Sequence, residues 1–169
     1  MVADPTFKDL FRAATRSAVH LEMRDGYMRD ADFLQWQAGQ RFDPAERWRS
    51  WFDLVQQTTG RGVEVRRARI VSEPITDYIR FEYDVTSAHN VAAGEKVRWL
   101  PRRKASDVPL PGNDFWLFDG NAVLFNHFAG NGDMLESEYT TDASVAKLCA
   151  DAFEAVWDRA IPHEEYHPA

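Results

Sequence analysis

Glu22 with Arg24, Arg80 with Glu82, and Arg98, Asp119 and His127 have the side-chain types that could orient a small polar ligand. Convergent charges among aromatic rings are how a pocket acquires orientation and specificity. Two carboxylates near a histidine would also suit proton transfer, so an enzyme using Glu22, Glu82, His127 and a basic residue is one function class. The competing reading is an ion-pair network between the strand carrying Glu22 and the helix carrying Glu82. Asp114 and Asp119 do not make a carboxylate pair, because their spacing along a strand points them to opposite faces. Asp119 also falls at a turn, where aspartate commonly accepts backbone N–H bonds. His127 has no neighbouring cysteine, nor a histidine at ligand spacing. His163 and His167 flank Glu164, Glu165 and Tyr166, but Pro162 and Pro168 favour a flexible tail over a metal-binding helix. Cys149 is the single cysteine, which excludes an intrachain disulfide and a cysteine cluster. No metal and no cofactor is expected.

Two basic clusters are a second source of chemistry. Arg66, Arg67 and Arg69 lie in one strand-like tract, and Arg102, Arg103 and Lys104 follow another. Together they read as a basic surface that could neutralise phosphates, the main source of non-specific nucleic-acid affinity. Three arginines on alternating faces cannot all line one surface, and no helix-turn-helix, zinc finger or stacking-aromatic pattern supports base reading. From Arg41 to Lys104 there are 13 basic and 9 acidic residues; from Ala105 to Ala169 there are 2 and 12, within a net charge of −7. A basic middle and an acidic C-terminal third suggest docking faces for a protein partner, or for a second copy in a homodimer. The overall negative charge makes nucleic acid the lesser partner.

The elements that must carry these residues follow from periodicity. Asp4-Pro5-Thr6 caps a helix with Phe7, Leu10, Phe11 and Ala14 on one face. Alternation from Val19 to Arg24 predicts a strand with Val19, Leu21 and Met23 inward, leaving Glu22 and Arg24 on the opposite face. A short helix spans Asp32 to Gln37. Asp43-Pro44-Ala45-Glu46 starts a helix that runs to Gly60 or Gly62. Strands are expected over 62–71 and 96–100, with a helix from Pro74 to about Ala93 between them. Asp114–Phe118 and Ala122–Phe128 form a hairpin around Asp119-Gly120-Asn121. A strand near 134–139 precedes a helix capped by Asp142, whose apolar face runs from Val145 to Ala160. This order predicts an α/β single domain, a mixed β-sheet flanked by helices: 1–40 as an N-terminal helix, strand and short helix, 41–161 as the core, and 162–169 as a tail. With 44% hydrophobic residues and six tryptophans, the chain can fill such a core. No apolar run reaches the ~18 residues of a membrane span. The start, Met-Val-Ala-Asp-Pro, lacks a leader pattern, so a cytoplasmic location is expected.

The hairpin, Pro111 to Asp133, resembles the strand-turn-strand of the phospholipase D superfamily: histidine, any residue, lysine, four residues, aspartate, then usually glycine and an apolar strand. With the motif aspartate set on Asp119, Gly112 stands at the histidine's place and Asp114 at the lysine's. The resemblance implies a phospholipase D-like half-fold with a degenerate active site, since glycine offers no nucleophile and aspartate would repel phosphate. No catalytic residue is carried over. The tracts His20–Tyr27, Arg66–Tyr78, Gly94–Arg103, Asn113–Gly120 and Trp157–Tyr166 are similar to a family of small actinobacterial proteins often encoded near helix-turn-helix regulators. That similarity implies no established activity. It suggests a non-catalytic regulatory or accessory module that binds a partner protein, such as a DNA-binding regulator, or a small ligand.

Overall fold

In the computed structural model, which describes residues 4–28 and 30–169, the sheet is built on a parallel trio at its centre. Strand β1 (Ser17–Glu22) pairs in parallel with β2 (Glu64–Val71), which pairs in parallel with β3 (Lys96–Pro101). On the other side of β1 lie β4 (Asp114–Phe118), β5 (Ala122–Asn126) and β6 (Glu138–Thr140), all antiparallel, and the short β7 (Ile161–Pro162) closes the far edge against β3. The order is β6-β5-β4-β1-β2-β3-β7. The α/β reading of one domain, a mixed sheet flanked by helices, holds. Met1, Val2 and Ala3, the head of the segment read as lacking a leader, lie outside the described residues. Among the described residues no helix is long and apolar enough to cross a membrane.

Each face of the sheet carries a different kind of layer. One is covered by α6 (Ala143–Arg159), whose Cys149, Phe153, Val156 and Trp157 pack on Val19, Leu21, Ala68, Ile70, Phe115 and Leu117. This apolar cluster is continuous, as the 3.6-residue period of α6 requires. The other face lies under α1 (Phe7–Ala13), α2 (Ala31–Gln37), α3 (Pro44–Arg47), α4 (Arg49–Gly60) and α5 (Asp77–Thr86). Here the apolar core splits in two. One part gathers Phe11, Val55, Val65, Trp116 and Phe118; the other gathers Val71, Ile79, Trp99 and Tyr166. Between them run the charged side chains of β1 and β2.

Several boundaries depart from the periodicity. Strand β1 ends at Glu22, so Arg24 is in a loop rather than on the strand. The helix expected from Pro44 to Gly60 is two helices, because Trp48 adopts φ −111° and ψ 41° between them. Helix α5 begins at Asp77, not Pro74, because Thr76 supplies the cap by accepting from the Ile79 N–H. It then passes into a π-helical turn, Ser87–Val91. The strand expected near 134–139 is the shorter β6.

The C-terminal segment is not a loose tail. Tyr166 is 2% exposed and lies flat on Trp99, with ring centroids 5.5 Å apart. Its hydroxyl donates to Glu73 at 2.8 Å, and its carbonyl accepts from the Tyr83 hydroxyl at 2.9 Å. His163 accepts at Nδ1 from the Trp99 indole at 3.0 Å, which leaves Nε2 protonated and donating to the Ser87 hydroxyl at 2.8 Å. The Ala169 carbonyl accepts from the Ile75 N–H at 2.9 Å.

Candidate functional site

Adjacent positions in parallel strands set up the centre of the site. The β1–β2 register puts His20 beside Arg67 and Glu22 beside Arg69, all on the face under the helices. Glu22 is 7% exposed, Arg67 8% and Arg69 4%. Glu22 accepts from the Arg67 guanidinium with one oxygen and from Arg69 Nε at 2.5 Å with the other. Arg67 donates through Nε to Glu95 at 2.8 Å, and Arg69 donates to the Thr86 hydroxyl at 2.7 Å. Glu95 also accepts from the Asn90 amide at 2.6 Å. Burial alone would raise the Glu22 carboxyl, but Arg67 and Arg69 outweigh it and hold the group well below the usual range. Glu95 reaches the network because Gly94 turns the chain at φ +100°, where a Cβ would come 2.7 Å from the Thr59 hydroxyl oxygen.

Above this floor is a cavity of about 420 Å³. Trp48, Trp51, Phe81, Trp116 and Tyr78 supply its walls, and the Tyr78, Glu82, Val85 and His89 side chains follow one face of α5 into the π-helical turn. His20 lies parallel to Trp116 with centroids 4.3 Å apart, donates through Nδ1 to the Phe115 carbonyl at 2.7 Å, and has Nε2 3.2 Å from Glu22. Glu82 is the loosely held acid. Its Oε2 lies 3.6 Å from Arg69 and makes no hydrogen bond, and burial, joined by the nearby Glu22 and opposed by Arg69, pushes its carboxyl up to about 7. His89 Nε2 likewise makes no hydrogen bond among the described residues, and burial, reinforced by Arg67, pushes this imidazole down to about 4.

The sign of the Glu82 effect gives a test. A carboxyl raised in the folded state binds its proton more tightly there than in the unfolded chain, so stability falls as pH rises from about 4.5 to about 7. Glu82→Gln removes that contribution. The stability of the variant relative to the wild type should rise across this window and level off above it, read from urea midpoints at each pH.

Of the residues singled out in the sequence, Glu82, Arg67 and Arg69 line this cavity, Glu22 lies beneath it paired to both arginines, and the others lie elsewhere. Arg24 stacks its guanidinium over Tyr27 and Phe128, at 5.9 and 5.0 Å from the ring centroids. Arg80 is half-buried on α5 and does not line the cavity. Arg98 points to the α6 side of the sheet, 4.4 Å from the Trp157 ring centroid, and donates to the Trp157 carbonyl at 3.0 Å. His127 lies at the surface with Nε2 3.1 Å from Glu138. Asp119 is consumed by the fold. At φ 51°, with Gly120 at φ 75°, it opens the three-residue hairpin connection Asp119-Gly120-Asn121, and its carboxylate accepts from the N–H groups of Thr15, Arg16 and Ser17. Asp119→Ala should therefore lower stability by about 1–3 kcal/mol by leaving those donors unpaired, measured by urea unfolding.

The basic surface is largely dismantled. Arg67 and Arg69 are floor residues because helices cover that face of β2. Arg66 pairs with Glu154 at 2.6 Å on the α6 side. Arg102 donates to the Met23 and Ile70 carbonyls at 2.5 and 3.2 Å. Arg103 and Lys104 remain exposed. Asp114 is buried, accepting from the Tyr27 hydroxyl and from the Met23 N–H at 2.9 Å, while Gly112 is exposed in the bend before β4. Among the described residues no group of three or more His, Cys, Asp or Glu side chains could hold a metal ion.

His20, Glu95, His89, Asn90 and the tryptophans were not legible as site residues. One signal was present: charges recurring at every second position in His20-Leu21-Glu22 and Arg67-Ala68-Arg69, inside strands otherwise fit for burial on both faces.

Fold and cavity define an α/β domain with an aromatic-walled pocket over a buried ionic floor. The chain belongs to the family described as Domain of unknown function (DUF6879), whose model matches residues 5–168. Its fold is similar to that of Nuc, a phospholipase D family member from Salmonella typhimurium, at a TM-score of 0.50 and 12% identity over 92% of this chain and 86% of that one. It is also similar to TrmBL2, an archaeal chromatin protein whose structure shows a novel mode of DNA binding, at a TM-score of 0.50 and 13% identity. That match covers 90% of this chain, which spans 47% of the chromatin protein. No curated protein matches the sequence.

Proposed function

We propose that this domain is a binding module for a small molecule held in the cavity above Glu22, Arg67 and Arg69, serving an accessory or regulatory role. One observation carries the reading. A cavity of about 420 Å³, walled by aromatic rings, has on its lining two buried polar atoms, Glu82 Oε2 and His89 Nε2, that make no hydrogen bond among the described residues. Buried polar groups are ordinarily satisfied, so unpaired ones on a cavity wall speak for a ligand that pairs them. Phosphodiester chemistry of the phospholipase D kind finds no support at the hairpin, where Gly112 and Asp114 stand in the places of its histidine and lysine.

Thermal unfolding against a library of polar metabolites tests the reading. At least one compound should stabilise the wild type, by about 2.7 kcal/mol at a hundredfold excess over Kd. Val85→Trp, which fills the cavity, should abolish that response. No stabilising compound, or an equal response from the variant, would overturn it.

A second reading, an enzyme, is favoured by Glu82, whose carboxyl at about 7 is poised to exchange a proton near neutrality. Under it, compounds that bind are also converted. Glu82→Gln would keep binding and lose turnover, as followed by mass spectrometry of the incubated mixture. Unchanged compounds would exclude it.

A further inference from the structure

The buried charges around the cavity do not balance. Glu22, Glu82 and Glu95 are joined to Arg67 and Arg69 in one network of ion pairs. Asp114 lies alongside, buried, and accepts from the Tyr27 hydroxyl and the Met23 N–H. Among the described residues, four carboxyls therefore face two guanidiniums and the His20 imidazole, so acids outnumber cations even with His20 protonated. Glu82 is the odd acid. Glu22 and Glu95 hold the guanidiniums by direct hydrogen bonds. The Glu82 side chain, 13% exposed on the cavity lining, stands 3.6 Å from Arg69, beyond hydrogen-bond reach.

The walls repeat that sign. Burial, with Glu82, Glu22 and Asp30 beside it, raises the Tyr78 hydroxyl far above its ordinary range. Asp30, exposed where it lines the cavity, caps α2 by accepting from the Phe33 N–H at 2.9 Å and pairs with no cation among the described residues. Trp51 and Trp116 are already covered by Arg67, and Trp116 by His20 as well, so the apolar wall left to a guest is Val85, Phe81 and Trp48. An anion here meets Glu82 and Asp30 and finds both guanidiniums committed. A neutral guest leaves Glu82 to be neutralised by a proton, its carboxyl lying at about 7. An ammonium brings the missing positive charge and an N–H donor together, and such charge-assisted hydrogen bonds are about twice as strong as neutral ones.

Resting on the small-molecule reading above, we propose that the cavity binds a primary organic ammonium on an apolar stem, the ammonium donating to the Glu82 carboxylate and the stem packing on Val85, Phe81 and Trp48. A quaternary ammonium, which has the charge but no N–H, binds more weakly. Binding is also linked to a proton, because the ammonium needs Glu82 ionised. An alkyl amine, like lysine with a pKa of about 10.4, stays charged throughout. Affinity should therefore rise from about pH 6 to about pH 8 and flatten above, and about half a proton should leave per ligand bound at pH 7. Around Glu82, Arg67, Arg69 and Glu22 keep their charges over that range, and Tyr78 and His89 stay neutral. His20, Asp30 and Asp114 are the other titratable neighbours, and Glu82→Gln separates their part from that of Glu82.

Calorimetric titration of the intact protein tests this, with hexylamine and cadaverine as probes and hexanol, hexanoate and choline as comparisons. It is run from about pH 6 to about pH 8 in buffers of different ionisation heat, which counts the protons released. Expected is binding of hexylamine or cadaverine tenfold or more tighter than hexanol, hexanoate or choline, with the proton release above. Glu82→Gln should lose tenfold or more of that affinity and all of the proton release. Asp30→Asn, which can still cap α2, should lose less. Glu82→Gln keeps the side-chain shape and removes a surplus buried charge, so it should fold, and its circular dichroism checks that. Two results would overturn the ligand class while leaving the cavity reading standing: a library compound, hexanol or hexanoate binding where no amine does, or amines binding with no dependence on Glu82 or pH. Amines that bind Val85→Trp as well as the wild type would overturn the site. Silence from the amines and from the whole library would remove the small-molecule reading itself.

Discussion

Glu22→Gln should lower the unfolding free energy by about 3–5 kcal/mol, the range found when one partner of a buried ion pair is taken away. Glu22 is the acid shared by both floor arginines, and without its charge Arg69 keeps Thr86 and a distant Glu82 as its neighbours. The guanidinium cannot shed its proton to escape, so the desolvation cost stays uncompensated. The pH dependence separates this cause from simple loss of packing. A carboxyl held below its ordinary value adds stability that is present above that value, about 4.5, and is lost as pH falls through the folded-state value. The gap between wild type and Glu22→Gln should therefore be full at pH 7 and narrow under acid, as read from denaturant midpoints. A gap below about 1 kcal/mol at pH 7, or one that ignores pH, would mean the arginines find other partners.

Tyr166→Ala should cost about 3–5 kcal/mol, the usual range for truncating a buried aromatic side chain. The ring rests on Trp99 and the hydroxyl is held by Glu73, so the change opens a void under α5 and frees the segment that ties Ala169 to Ile75. A residue in a solvated tail would change stability by no more than about 0.5 kcal/mol. Tyr166→Phe keeps the ring and loses one hydrogen bond, so a deficit near 1 kcal/mol is expected there. Guanidinium unfolding of the two variants side by side distinguishes a packed strap from a loose end.

The sequence disclosed those parts of the fold whose residues alternate or repeat against a single apolar neighbour. Val19 and Leu21 read correctly as facing a core, and the face of α6 from Val145 to Ala160 read correctly as helical. The Asp119-Gly120 turn was plain because both residues tolerate positive φ. What failed depended on a second layer that local pattern does not register. Glu22 was already legible as a pocket or ion-pair residue, whereas Arg67 and Arg69 looked like part of a basic surface because nothing nearby in the chain says that five helices will lie across that face. Arg98 looked like a pocket residue for the same reason, although its strand parity already matched Arg66 and placed it with α6. The C-terminal residues looked unstructured because their prolines forbid a helix, yet Trp99 supplies a flat surface on which Tyr166 can lie without one. The π-helical turn that carries His89 and Asn90 left no mark in the sequence.

The ionic floor also decides how the two central strands may be aligned. Along β2 the residues under the helices are Val65, Arg67, Arg69 and Val71, and along β1 they are Ala18, His20 and Glu22. Sliding β2 by one residue would turn its arginines toward α6, which the apolar pattern alone forbids. Sliding it by two keeps every side chain on its proper face, so hydrophobicity barely distinguishes that alignment from the native one. Charge does. In the shifted alignment Glu22 would lie beside Val71 or Arg67, breaking the arrangement in which one carboxylate bridges two guanidiniums, and would bury charge without full compensation. Parallel strands have no hairpin turn to fix their offset. In this domain the glutamate between two arginines does for the parallel pair what Asp119-Gly120 does for the antiparallel one.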